Sequence, residues 1–254
     1  MKQSRQDIIL EELNKKGEIR ISELINLFPN VSEMTIRRDL DALANRGLLI
    51  RTHGGARPLS SALDHAYDLQ ARLLLNQACK SVIAKQALSF IDNECSIFFD
   101  SGSTTLELAK IIYNTKIHAI TSSPDISIQL LQKPDIQVIL LGGILNKSTV
   151  STIGPMTLQY LDQLNIDIAF ISASGFSLES GFTNAYFDEC HLKQKVIQMA
   201  KHVIILLDTS KIDSVLPFTF ATLKDIHTII FDQEPSSDIL EVAKKHKVHV
   251  IFPT

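Results

Sequence analysis

The sequence predicts two folds in one chain. A winged helix-turn-helix covers residues 1–57, a linker follows at 58–75, and an α/β domain with a mostly parallel sheet occupies 76–254. Three observations carry this. Apolar residues at helical spacing precede a glycine-marked hairpin near the N-terminus. From residue 96 onward, short apolar runs alternate with amphipathic stretches. And 254 residues with 45% apolar content are enough for two cores.

The elements follow in order. Arg5–Lys15 places Ile8, Ile9 and Leu13 on one helical stripe with Leu10 at its margin, and Lys15-Lys16-Gly17 closes that helix. Glu18–Ile21 is a strand-like link. Ser22 is positioned to cap a second helix carrying Leu24, Ile25 and Phe28, which Pro29-Asn30 breaks. Ser32 caps a third, where Ile36, Leu40 and Leu43 fall at i, i+4 and i+7 and must face the other two helices. Gly47 stops it, and Leu48–Arg51 pairs with a strand returning after Gly54-Gly55.

With that stripe turned inward, Thr35, Arg37 and Arg38 point out near the start of the third helix, where a helix entering a major groove meets base edges. An arginine can take guanine O6 and N7 together, a discrimination of roughly 1–3 kcal/mol. Arg37 or Arg38 would do this while the other binds phosphate. Arg51, His53 and Arg57 on the hairpin suit phosphate or minor-groove contact, which positions the protein more than it reads sequence. The competing reading leaves Arg37 and Arg38 solvated, or paired with Glu33, Asp39 and Asp41.

The runs Arg37-Arg38-Asp39-Leu40 and His53-Gly54-Gly55-Ala56 resemble the winged helix-turn-helix of the DeoR family of bacterial sugar-metabolism regulators. The likeness extends along essentially the whole chain. It implies a double-stranded DNA operator as partner, with Ser32, Thr35, Arg37, Arg38, Arg51, His53 and Arg57 on the DNA side.

In the second part, apolar runs occur at Ser96–Phe99, His118–Thr121, Gln137–Leu141, Asp167–Ser172, Val203–Leu207, Thr228–Phe231 and Val248–Phe252. A helix at Gln77–Ile91 precedes them, and amphipathic stretches lie near 104–112, 124–131, 155–163, 186–200 and 236–245. Continuous apolar strands between helices suit a parallel sheet covered on both faces. Ligands in such sheets sit beyond the carboxyl ends of the strands. Polar loops are expected there: Asp100-Ser101-Gly102-Ser103-Thr104-Thr105 before a helix, then Thr121-Ser122-Ser123, Gly142-Gly143 and Ser172-Ala173-Ser174-Gly175. Amides and hydroxyls of the first loop suit phosphate oxygens, although such a loop also serves as a plain helix cap. Gly181-Phe182-Thr183-Asn184 is expected to open a helix carrying Glu189 and Lys193 at i and i+4, a spacing that also fits an ordinary surface ion pair. Lys211, just past a buried strand, is placed for a phosphate or simply solvated.

This half resembles the sensor domains of the same family, which look like ribose-5-phosphate isomerase and bind phosphorylated sugars or related metabolites. The matching positions are Asp100 to Thr105, Thr121, Gly142, Gly143, Gly154, Gly175, Gly181, Glu189, Lys193 and Asp208 to Lys211. The chain departs from the family at Ser122, where asparagine is common, and at Ser172 and Ser174, where a glycine and an aspartate are common. The last change removes a carboxylate that an isomerase would want.

The leading expectation is therefore a repressor of a carbohydrate-utilisation operon responding to a phosphorylated sugar, with no catalytic residues, metal or cofactor. The alternative is a sugar-phosphate isomerase with an appended DNA module, drawing acid–base chemistry from Asp100, Glu189 and Asp208. Against the second, the loop Ser172–Gly175 lacks a carboxylate and no second acidic residue is predictably close to Glu189. Residues 1–57 hold ten Lys/Arg against eight Asp/Glu, and the rest fifteen against twenty, so operator affinity is expected to rest on placed charges rather than bulk attraction. Paired half-sites imply a homodimer or homotetramer. Cys79, Cys95 and Cys190 fit reduced thiols, His246-x-x-His249 sits at a helix-to-strand junction unsuited to a zinc site, and no apolar run reaches membrane-span length or forms a secretory signal. A cytoplasmic protein is expected.

Overall fold

The computed structural model describes residues 4–45, 48–52, 54–58 and 69–253. Gly47, His53 and residues 59–68 of the linker lie outside the described residues, so the expectations placed on them have no structural counterpart here. The chain divides into two compact units at Gln77/Ala78.

In the first unit, α1 (Arg5–Lys16) starts on a capping box between Ser4 and Asp7 and ends at Gly17 in the left-handed region. Next come β1 (Ile19–Arg20), α2 (Ile21–Leu27), α3 (Glu33–Asn45), β2 (Leu49–Thr52) and β3 (Gly55–Pro58), the strands pairing in the order β1-β3-β2. The core holds Ile9, Leu13, Leu24, Ile36, Leu40 and Leu43, each fully buried. Each such side chain contributes about 1.5–3 kcal/mol. Ser22 is not the cap of α2: that helix already begins at Ile21. The Ile21 amide donates instead to the Gly54 carbonyl in the hairpin at 2.8 Å, so the wing supplies the partner that a local side chain was expected to give. Gly55 is fixed by close approach, since a Cβ there would lie 1.9 Å from the Ile19 carbonyl oxygen.

A short helix, α4 (Leu69–Leu74), precedes the second unit, which opens with α5 (Gln77–Ala87). Its seven-stranded parallel sheet comprises β4 (Ser96–Phe99), β5 (Ile117–Thr121), β6 (Ile136–Leu140), β9 (Ile168–Ser172), β12 (His202–Leu207), β14 (Thr228–Phe231) and β15 (His249–Ile251), ordered β15-β14-β12-β9-β4-β5-β6. All seven expected runs form these strands, with ends shifted by at most one residue. From β4 the chain builds outward to β5 and β6 through α6 (Ser103–Ile111) and α7 (Pro124–Leu130). It then returns to the other side of β4 for β9, β12, β14 and β15, so the strand order reverses between β4 and β9. That is where an open α/β sheet leaves a crevice at its carboxyl edge.

Two small antiparallel pieces lie outside this sheet. One is a hairpin of β7 (Ile144–Asn146) and β8 (Ser151–Ile153), followed by α8 (Pro155–Leu161). The other is β10 (Gly175–Ser177), β11 (Gly181–Asn184) and β13 (Phe218–Ala221). Gly181–Asn184 is thus a strand rather than the opening of a helix; α9 (Phe187–Met199) starts three residues later. Pairing with β10 and β13 outweighs any local helical tendency there. The last helix is α10 (Ser237–Lys245). No helix of the described residues is long and apolar enough to cross a membrane.

Candidate nucleic-acid surface and candidate effector site

On the first unit, α3 turns Ile36, Leu40 and Leu43 inward and leaves Arg37 and Arg38 exposed. The Ser32 hydroxyl accepts from the Thr35 amide at 3.2 Å and lies 2.9 Å from its hydroxyl, capping α3 as expected. Arg37 donates to Glu33 at 2.7 and 2.9 Å, one turn back along the helix. Arg38 has no polar partner among the described residues. Asp39 is not available to either: it is buried and accepts from Arg5 at 2.5 Å and Gln6 at 3.3 Å, tying α1 to α3. The hydrogen bond to Asp39 raises the Arg5 guanidinium pKa further.

Arg51, expected at phosphate or the minor groove, is engaged within the first unit. It donates to Asp41 at 2.9 Å and to the Gly55 carbonyl at 2.8 Å, fastening the wing to α3. Arg57 lies in β3 opposite Ile50. The outward basic side chains nearest the start of α3 are therefore Arg37, whose charge is already partnered, and Arg38.

On the second unit, the reversal between β4 and β9 is bridged by side chains. Asp100, at the end of β4, accepts on Oδ2 from the Ser172 amide (3.1 Å), the Ser172 hydroxyl (2.6 Å) and Lys193 Nζ (2.6 Å). Lys193 also donates to the Ser172 carbonyl at 2.8 Å. The Asp100–Lys193 pair is hidden, the side chains being 3% and 4% exposed. Gly102 makes the bridge possible, because a Cβ there would stand 1.8 Å from the Ser172 hydroxyl.

Glu189, one turn before Lys193 on α9, does not pair with it. Its Oε1 accepts from Ser151 at 2.9 Å and Ser101 at 3.3 Å, and its Oε2 from Asn184 at 2.9 Å. Asn184 in turn accepts from Ser174 at 3.0 Å. The surface ion pair that the i, i+4 spacing allowed is not formed, because both side chains are buried and face different partners. Glu189 also bonds the residue beside Asp100, so the fold gathers two carboxyl groups and one ammonium at a single loop.

Ser101, Ser103, Thr104 and Thr105 line the start of α6, each 7% exposed or less. Thr121 is spoken for: its hydroxyl donates to the Phe99 carbonyl at 2.7 Å and accepts from the Ser123 amide at 3.1 Å. The hydroxyls of Thr105 and Ser122 are buried with no hydrogen-bond partner among the described residues. Gly142 and Gly143 lead from β6 into β7, the Gly142 carbonyl accepting from Thr157 at 2.8 Å. Gly175 begins β10, close against the Ser214 backbone. Lys211 is half-buried on the turn after β12, and no bond ties it to the Asp100 cluster among the described residues.

Four partners of the site, Ser151, Ser172, Ser174 and Asn184, were not among the residues expected to bind. Ser172 and Ser174 lay in an expected loop but counted as departures from the family pattern, Asn184 lay in a segment expected to open a helix, and Ser151 carried no local signal. Burial pushes the thiols of Cys79 and Cys190 up to about 11, so neither is a ready nucleophile at neutral pH. Among the described residues no cluster of three His, Cys, Asp or Glu could hold a metal ion.

Residues 5–62 match the DeoR-like helix-turn-helix domain and residues 75–233 the DeoR C-terminal sensor domain. The chain is 36% identical over 230 residues to the uncharacterized HTH-type transcriptional regulator FruR of Bacillus subtilis, covering 91% of each. It is 32% identical to the HTH-type transcriptional regulator GolR of Listeria innocua, over 91% of this chain and 90% of that one. It is 27% identical to the glycerol-3-phosphate regulon repressor of Escherichia coli, over 98% and 99%. Among solved structures it is similar to a D-ribose-5-phosphate isomerase in complex with phospho-erythronic acid, 21% identical over 52% of each chain with a TM-score of 0.39. An outward-facing arginine helix with its wing, a sheet whose reversal gathers Asp100, Glu189 and Lys193, and matches along both parts lead to one assignment: the chain belongs to the DeoR family of helix-turn-helix transcriptional regulators.

Proposed function

We propose that this regulator represses a carbohydrate-utilisation operon and that a phosphorylated sugar or related metabolite, bound at the carboxyl edge between β4, β5 and β9, changes its hold on the operator. The observation that carries the reading is the set of hydroxyls and amides around the start of α6, with Thr105 and Ser122 left unpartnered. Buried hydroxyls without partners are costly, and phosphate or sugar oxygens would satisfy them. The Escherichia coli relative is named for a glycerol-3-phosphate regulon, which fits the same ligand chemistry. Glu189 and Asp100 suit sugar hydroxyls better than a phosphate, whose charge they would repel.

On the DNA side, Arg38 and Arg37 enter the major groove with Ser32 and Thr35 at the phosphate, while His53 and Arg57 follow along the wing. Arg51 acts one step back by holding the wing in place. A homodimer or homotetramer would present two such heads to paired half-sites. A coupling of about 1–3 kcal/mol between the sites gives roughly 5- to 150-fold regulation.

The test is release or tightening of a fluorescent operator duplex, selected from random sequence, on adding a panel of phosphorylated sugars that includes glycerol 3-phosphate. A regulator of this kind responds to at least one member. A flat response across a broad panel refutes the effector assignment. Two of the three carboxyl groups the isomerase alternative would draw on, Asp100 and Glu189, each already accept three hydrogen bonds, which opposes it. Turnover above background in a coupled pentose- and hexose-phosphate assay would reinstate it.

A further inference from the structure

We infer that the β7–β8 hairpin is a lid over the crevice between β4, β5 and β9, latched by the Ser151–Glu189 hydrogen bond, and that Glu189 is the positioning residue through which occupancy is coupled to lid opening. The inference rests on the effector reading of that crevice.

The crevice is shut in this structure. Ser101 and Ser103–Thr105 are nearly inaccessible, and Ser122 is fully buried. What lies over Ser122 is β8: the Thr152 amide and hydroxyl donate to the Ser122 carbonyl at 2.8 and 3.1 Å, and the hydroxyl also donates to the Leu141 carbonyl at 2.8 Å. A ligand that is to meet the unpartnered Ser122 and Thr105 hydroxyls must displace something, and the piece lying over Ser122 is the hairpin. It is a two-stranded ribbon outside the main sheet, a unit of marginal stability by itself. Its first strand turns outward, with Ile144 and Leu145 69% and 57% exposed.

Two further features mark it as poised rather than merely short. Its turn holds Val150 at φ 48°, a left-handed conformation that a β-branched residue adopts only under constraint. The next residue supplies the constraint: Ser151 bonds Thr149 at 2.8 Å and Glu189 at 2.9 Å. A ligand hydroxyl taking Ser151's place on Glu189 would remove that hold and free the strained turn. Glu189 thereby links the crevice, through Ser101, to the lid, through Ser151, and to β11, through Asn184.

The experiment measures access beneath the lid in the full-length protein without any ligand, so it judges the lid independently of the operator-release assay. Ser122→Cys places a thiol under β8, and its alkylation by a small reagent is followed by peptide mapping, which separates it from Cys79, Cys95 and Cys190. Adding Ser151→Ala should speed labelling at position 122 by roughly 10- to 100-fold, the effect of losing one hydrogen bond to a charged group. Glu189→Gln, which keeps an acceptor but loses the charge, should give a smaller increase. Hydrogen exchange at the Thr152 amide supplies the same comparison with no new cysteine. Unchanged rates in both latch variants overturn the proposal. So does labelling that merely keeps pace with exchange in the central strand β9, since access would then require global unfolding.

Discussion

Replacing Lys193 by methionine tests the geometry of the sensor domain most sharply. The substitution keeps the length and apolar stem of the side chain but removes the ammonium that sits 2.6 Å from Asp100, where both side chains are at most 4% exposed. Removing one partner of a buried ion pair leaves the other charge stranded and typically costs about 3–5 kcal/mol. Asp100 would keep the amide and hydroxyl of Ser172 as donors, which favours the lower end of that range. At about 2–4 °C per kcal/mol for a domain of this size, the unfolding midpoint should fall by at least roughly 6 °C. Thermal melts followed by circular dichroism measure it. Asp100→Asn combined with Lys193→Met should recover part of the loss, because no unpaired charge remains. A shift under about 2 °C for Lys193→Met, or a double variant whose loss is the sum of the two single losses, would refute the buried pair.

Three other outcomes are expected. Arg38→Ala should abolish operator binding in a fluorescence-anisotropy titration while moving stability by no more than about 0.5 kcal/mol, since the side chain is exposed and makes no polar contact among the described residues. Gly55→Ala should weaken both the fold of the first unit and operator binding, as the added methyl meets the Ile19 carbonyl; a melt unchanged within about 1 kcal/mol would contradict the tight β1–β3 pairing. Asp167 is held near about 2, below its usual 3.8, first by the Lys201 hydrogen bond and then by the Ser96 amide and hydroxyl. A depressed carboxylate stabilises above its unfolded pKa and loses that contribution as pH falls, so the gap between parent and Asp167→Asn melts should be constant near neutrality and close from about pH 4 downward. A gap that persists at about pH 2 would show that the charge is not what matters.

The sheet was legible because its inner strands are buried on both faces and hence continuously apolar, as in Ile97-Phe98-Phe99 and Val203-Ile204-Ile205-Leu206-Leu207. The three-helix head was legible because a single stripe of Ile36, Leu40 and Leu43 needs no distant information. What escaped was set by contacts far apart in sequence. The start of α2 depends on a carbonyl in the wing. The strand Gly181–Asn184 exists because β10 and β13 flank it, and its own residues resemble a turn. In the candidate site, Asp100 was picked out on a polar loop and Lys193 on a helix one turn after Glu189, yet their pairing joins positions 93 residues apart. Ser151 is a serine in a short hairpin, indistinguishable by pattern from any other until the fold sets it against Glu189.

The Glu33–Arg37 bond on the exposed face of α3 has a consequence for how affinity responds to ionic strength. An arginine that arrives with a carboxylate already attached exchanges one anion for another as it docks, and so releases fewer condensed counterions from the duplex than its formal charge implies. The slope of log affinity against log salt should therefore undercount the cations at the interface. Glu33→Gln should steepen that slope and raise attachment to duplexes of arbitrary sequence, an outcome that would identify the glutamate as a brake on indiscriminate adhesion.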